Sequence, residues 1–362
     1  MSDHLVAVAA HGLAGSRADL PSAALDDAAW FDLVQGCALG GLVGLLAAAG
    51  GHGLAVTPGQ AEELAVLAAE HAGASALVER QVATTASVLA LSGVDHRVVD
   101  GPARRLAEGH PAARPPGVVT VLVAPEDLEE ARALQGPPGR GDRGGGRGRV
   151  VVVAAVPGLE RAPGGLWSLL GPGAALDVDG RTLRALTVEQ QLVVACAVLG
   201  AAPVPTLGAW RDIAELALAP ALDPSAVRRL AQAAGVLDAL GRGVAGAWRW
   251  FDLADKTELS VWATRRTGPP AGGPGGRPPP SSPVGLARRV LGRRPAAAPL
   301  HPPGGAPLAG HPPGGAPLAG AGPPPGAGIA SAGIAAAGIA SAGAPPPLPA
   351  GHAGDRSPRR PT

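Results

Sequence analysis

The chain has 362 residues, of which 55 are Gly and 40 are Pro, roughly a quarter of the whole and near the level of low-complexity sequence. Aromatic residues make up only 2%, with six Trp, two Phe and no Tyr, so any core has to be built from Ala, Val and Leu around a few tryptophans. The two cysteines, Cys37 and Cys196, lie far apart in apolar runs. That excludes a disulfide scaffold and a cysteine zinc site, and fits a reducing, cytoplasmic compartment.

The net charge of +1 is unevenly spread. Residues 268–362 hold eight Arg and a single acid, Asp355, whereas residues 1–267 hold 22 basic against 28 acidic groups. An acidic body does not offer nucleic acid a general positive field. Residues 1–23 have no basic start of the secretory kind and read as a flexible N-terminus. The apolar run 33–51 is interrupted by Gln35, Cys37 and several glycines and has no flanking Lys or Arg. It reads as a pair of buried helices, not a membrane span.

From 24 to 92 the pattern is helical. Thr57, Pro58 and Gln60 form a helix start: a hydroxyl N-cap, proline at N1 and glutamine at N3 closing a capping box. The run from Leu64 to Leu91 then supports one long helix or two stacked ones. Beyond Gly93 the texture changes. Residues 94–99, 118–123 and 150–156 are short, β-branched and bounded by Gly or Pro, as buried strands are. A short helix is expected over 102–108. Another opens at Pro125, Glu126 and Asp127, where acids suit the N-terminal dipole. Residues 136–149, rich in Gly and Arg, read as a flexible loop; without an aromatic to stack on a base, they are a poor RNA-binding segment.

Asp179-Gly180, between 175–178 and 182–186, predicts a hairpin turn. Helices follow: one capped by Thr187 with Gln190 at N3, one around 210–218, and one starting at Asp223-Pro224 and running to Leu237. The stretch Trp248 to Trp262 reads as an amphipathic cover for the core. From 268 onward the decapeptide HPPGGAPLAG is repeated in tandem and followed by five-residue GIASA-type repeats. Such sequence cannot bury enough surface to offset its ordering entropy and reads as a disordered tail.

The stretch 91–134 resembles the family of uncharacterised bacterial nucleotidyltransferases. In that family a strand ends in Leu-Lys-Gly, a helix starting Pro-Ala follows, then an Arg, then a strand Asp-x-Asp-Leu-Leu-Val, then Pro-Glu-Asp opening a helix. Here Val99-Asp100-Gly101 stands in the place of Leu-Lys-Gly, followed by Pro102 and Ala103. Arg114-Pro115-Pro116-Gly117 matches the approach to the next strand, and Leu122-Val123 with Pro125-Glu126-Asp127 matches its exit. The helix 186–199 and Trp210-Arg211-Asp212-Ile213-Ala214 resemble the family's helical C-terminal half, so the likeness covers about residues 24 to 250.

The resemblance implies an α+β domain over 24–267: helical 24–92, a small mixed-sheet core over 93–186, and helical 187–267, followed by the tail 268–362. It also implies Mg²⁺ held by two strand carboxylates that point to one side, nucleotide triphosphate bound through that metal, and transfer of a nucleoside monophosphate to a hydroxyl. The carboxylate positions are occupied here by Val118 and Thr120, the lysine position by Asp100, and the third strand contains no acid. Two readings follow: a catalytically degenerate binding or scaffolding module with no cofactor, working on an unknown protein or small-molecule partner; or an active Mg²⁺-dependent enzyme with displaced ligands. Asp100, Gly101 and Arg114 are the nucleotide-binding candidates. Asp177 and Asp179 form a substitute Asp-x-Asp, or turn chemistry at the Asp-Gly hairpin. Glu126 and Asp127 are first-turn helix acids, or displaced metal ligands. Neither a membrane nor a nucleic acid is expected as a partner.

Overall fold

The computed structural model describes residues 3–107, 117–135, 149–162, 165–171 and 173–268, all within one compact unit of the chain. The tail from 269, Arg114, and the Gly/Arg loop up to residue 148 lie outside the described residues.

Four helices come first: α1 (Asp3–Ala10), α2 (Asp27–Gly40), α3 (Val43–Gly50) and α4 (Pro58–Leu91). The flexible N-terminus expected over 1–23 is corrected here. The side chains of Leu5, Val6, Val8 and Ala9 on α1 are buried in the largest core cluster with Leu33, Leu45 and Leu46. The apolar run 33–51 is the predicted helix pair, broken at Gly41, whose φ of 70° suits glycine. The long apolar pattern is one helix of 34 residues, and Thr57 and Gln60 close its capping box in both directions.

The α+β core follows with β1 (His96–Val98), the 3-10 helix η1 (Gly101–Ala107), β2 (Val118–Val123), a 3-10 turn at Pro125–Asp127, α5 (Leu128–Gln135), β3 (Arg149–Val153), α6 (Gly165–Leu169), β4 (Ala174–Val178) and β5 (Arg181–Ala185). The helix expected over 102–108 is therefore 3-10, and β1 and β3 are shorter than the sequence suggests. The five strands form one mixed sheet in the order β3-β2-β1-β5-β4. β1 runs antiparallel to β2 and parallel to β5, while β2 and β3 are parallel. β2 is thus an interior strand.

Alternation on β2 sorts its side chains by face. Val119, Val121 and Val123 pack towards α4 and α5. Leu122 packs on the other side with Val194 and Ala197, and Thr120 shares that side. The remaining helices are α7 (Val188–Ala201), α8 (Leu207–Leu218), α9 (Pro224–Ala233), α10 (Leu237–Trp250) and α11 (Glu258–Thr267). The helix from Pro224 stops at Ala233, where Gly235 takes φ 72°. The Trp248–Trp262 stretch is the end of α10 and the start of α11, separated by a turn. No helix among the described residues is long and apolar enough to cross a membrane.

Candidate functional site

Where β1 ends, the chain turns away from the sheet through Asp100 and Gly101. Gly101 has φ 58°, and a Cβ on it would lie 2.6 Å from a methyl of Val119. Both the left-handed backbone and the close approach to β2 require glycine there. The turn aims the Asp100 side chain back at β2. Its Oδ1 accepts a hydrogen bond from the Thr120 backbone amide at 2.7 Å, and its Oδ2 accepts one from the Thr120 hydroxyl at 3.1 Å.

These residues line a cavity of about 400 Å³ between the sheet and the α7–α8 pair. The floor is Val99, just past β1, with Val118 and Thr120 of β2 and Val153 of β3; the roof is α7 through Val194 and Val198; α8 closes one end with Asp212. The volume falls in the range of small-molecule sites, and the walls are mostly branched aliphatic. Charge is confined to one region, where Arg104 on η1 reaches the Asp212 carboxylate at 3.3 Å. Gln191 of α7 holds η1 in place by donating from its Nε2 to the carbonyls of Ala103 and Leu186, both at 2.9 Å. One terminal nitrogen of Arg104, Nη1, is buried and has no hydrogen-bond partner among the described residues.

Burial pushes the Asp100 carboxyl above the usual carboxylate range. The Thr120 amide, the Arg104 charge and the Thr120 hydroxyl pull it back, while Asp212 adds to the rise. The Cys196 thiol, under the same cavity wall, is pushed far up by burial, and Cys37 is pushed up to about 12. Neither is a nucleophile in this state.

The structure brings Asp100, Gly101, Val118 and Thr120 to one cavity. It does not bring Asp177, Asp179, Glu126 or Asp127 there. Asp179, at φ 54°, and Gly180, at φ 70°, form the hairpin turn, with Asp177 Oδ1 accepting from the Gly180 amide at 3.2 Å. Turn chemistry therefore accounts for Asp177 and Asp179. Glu126 and Asp127 sit in the 3-10 turn that leads into α5, at the opposite end of β2 from Val118.

Arg104 and Asp212 are the cavity residues that sequence reasoning did not single out. Their signals are faint: an arginine four residues after Asp100, and an aspartate inside an amphipathic helix. A divalent ion would find poor ligands here. Val118 offers no oxygen, the Thr120 hydroxyl is engaged by Asp100, and Asp212 is engaged by Arg104. No cluster of three or more His, Cys, Asp or Glu suited to a metal occurs among the described residues. Comparison of the chain with protein-family models, with curated proteins and with solved structures finds no match in any of the three.

Proposed function

We propose that the chain is a small-molecule-binding module on a nucleotidyltransferase-like frame, and that it does not transfer nucleotides. The observation that supports this most is the Asp100–Thr120 pair. The place where the resemblance sets a phosphate-binding lysine holds an acid, and the place where it sets a metal-binding carboxylate holds a hydroxyl spent on that acid. With Asp212 the cavity carries two acids against one guanidinium. That balance disfavours a triphosphate, whose charge has neither metal nor lysine to meet it. The valine-rich walls favour a compact apolar body, with a hydrogen-bond donor or a cation reaching Asp100 and Asp212.

The test uses the full chain with Mg²⁺ or Mn²⁺ and each of the four ribonucleoside triphosphates. The expected outcome is no pyrophosphate release, and no saturable triphosphate binding in calorimetry at about 1 mM, a level that leaves only millimolar affinities undetected. Metal-dependent turnover at an ordinary enzymatic rate would overturn the reading and return attention to displaced ligands.

A further inference from the structure

We infer that the exposed face of α4 pairs antiparallel with the same face of a second copy of this chain. The two ends of α4 are anchored in different cores, Leu64 beside α3 and Val78, Val82 and Ala86 against the sheet. Between them the helix crosses a stretch with little cover, in which Val66 is 58% exposed and Ala69, Gly73 and Ala76 are also exposed. A Cβ on Gly73 would meet nothing within 4 Å. Held at both ends, this face is rigid before any partner arrives, so pairing sacrifices little conformational freedom.

The spacing on this face suggests the partner. Residues 62, 66, 69, 73, 76 and 80 follow one another at steps of four, three, four, three and four, the seam of a helix pair. That order reads the same in both directions. In an antiparallel pair with its two-fold axis opposite residue 71, Ala69 meets Gly73 of the partner, Val66 meets Ala76, and Glu62 meets Arg80. Opposite charges thus close both ends of the seam, and small residues at its centre allow the backbones to approach. Among the described residues neither Glu62 nor Arg80 has an ion-pair partner. Glu63 and Glu79, which the same register would also relate, lie off the seam and are engaged by Trp30 and Arg105. A partner of different sequence would have no reason to match this palindrome; a second copy matches it by symmetry.

The face is small for a specific interface, so association should be weak. Sedimentation of the full chain should show a monomer–dimer equilibrium with a dissociation constant of about 10–100 μM. Glu62→Arg or Arg80→Glu alone sets like charges at both ends of the seam and should weaken the dimer by about tenfold or more. Glu62→Arg with Arg80→Glu in one chain should restore it. Mixing the two single variants should also restore it, as a heterodimer in which every charge is again opposed. A protein still monomeric at about 500 μM would overturn the inference. So would a dimer indifferent to the single reversals, or single variants that neither the double variant nor mixing rescues.

Discussion

Arg211 and Glu215, one turn apart on α8, bury their charges against each other, with Glu215 Oε1 accepting from Nε at 3.0 Å and from Nη2 at 2.7 Å. The remaining Arg211 nitrogen, Nη1, donates to the carbonyls of Ala9 at 2.5 Å and His11 at 2.6 Å. One side chain thus satisfies the Ala9 carbonyl in the last turn of α1 and the His11 carbonyl just past it from a helix some 200 residues away, and pins α1 against α8. Burial lowers the guanidinium's proton affinity and Glu215 raises it again.

Removing Glu215 leaves the Arg211 guanidinium buried without the carboxylate it bonds, with only the Ala9 and His11 carbonyls on Nη1. Glu215→Ala should therefore lower unfolding stability by about 3–5 kcal/mol in a denaturant titration. Arg211→Met with Glu215→Leu should cost less than the sum of the two single changes, because no lone charge is left. Additive losses would show that the two residues do not act as a unit.

Gln191 is the corresponding pin for the cavity, because its amide nitrogen serves both the first turn of η1 and the segment that leads into α7. Gln191→Leu leaves two buried carbonyls without their donor, so a loss of about 1–3 kcal/mol is expected. Since η1 carries Arg104, protection of the amides of residues 101–107 from hydrogen exchange should fall more than that of the α8 amides. A uniform fall along the chain would assign Gln191 a general packing role only.

The elements legible in sequence were those with local causes. Thr57-Pro58-Gln60 and Thr187 with Gln190 set two helix starts, and both capping boxes are present. Asp179-Gly180 set a turn, and the β-branched run at 118–123 set the interior strand. α1 was missed because its cause is distant: an Ala- and Val-rich octapeptide is too short to be stable by itself and holds where Arg211 and α3 receive it. The charged end of the cavity was missed for the same reason, since Arg104 meets Asp212 across 108 residues. The Asp100–Thr120 contact was half visible, for alternation placed Thr120 and Val118 on one side of β2. Only the left-handed turn at Gly101 delivers Asp100 to that side.

The raised proton affinity of Asp100 has a direct consequence for stability. The native state holds this proton more tightly than the unfolded chain does, so the group's unfavourable contribution is absent at low pH. It grows as pH rises from the ordinary carboxylate range through the higher native value, and is complete above it. Asp100→Asn keeps an acceptor for the Thr120 amide and carries no charge at any pH. The variant should melt above the parent protein at pH 7, and the advantage should shrink towards zero at about pH 3–4, where the parent carboxyl is itself neutral. A gap of constant size across that range would mean that charge at Asp100 is not the cause.

Restoring the two carboxylates separates the strand positions from each other. Val118 is 61% exposed, so Val118→Asp should change stability by no more than about 0.5 kcal/mol. Thr120→Asp is different, because the hydroxyl it replaces lies 3.1 Å from Asp100 Oδ2. Two carboxyl groups in contact cannot both ionise freely, so this variant should lose stability, and lose more at pH 8 than at pH 5. The double variant sets three carboxyl groups around one point of the cavity, with oxygen ligands where the parent protein has a methyl surface. Millimolar Mn²⁺ or Mg²⁺ should therefore raise the melting temperature of Val118→Asp/Thr120→Asp and leave that of the parent unchanged, since an ion that binds only the folded state stabilises it by mass action. Turnover of triphosphate should not return with the metal, because Asp100 still stands where the resemblance sets the lysine. If the ion stabilises the parent as strongly as the double variant, the cavity already contains a metal site and the binding-module reading fails.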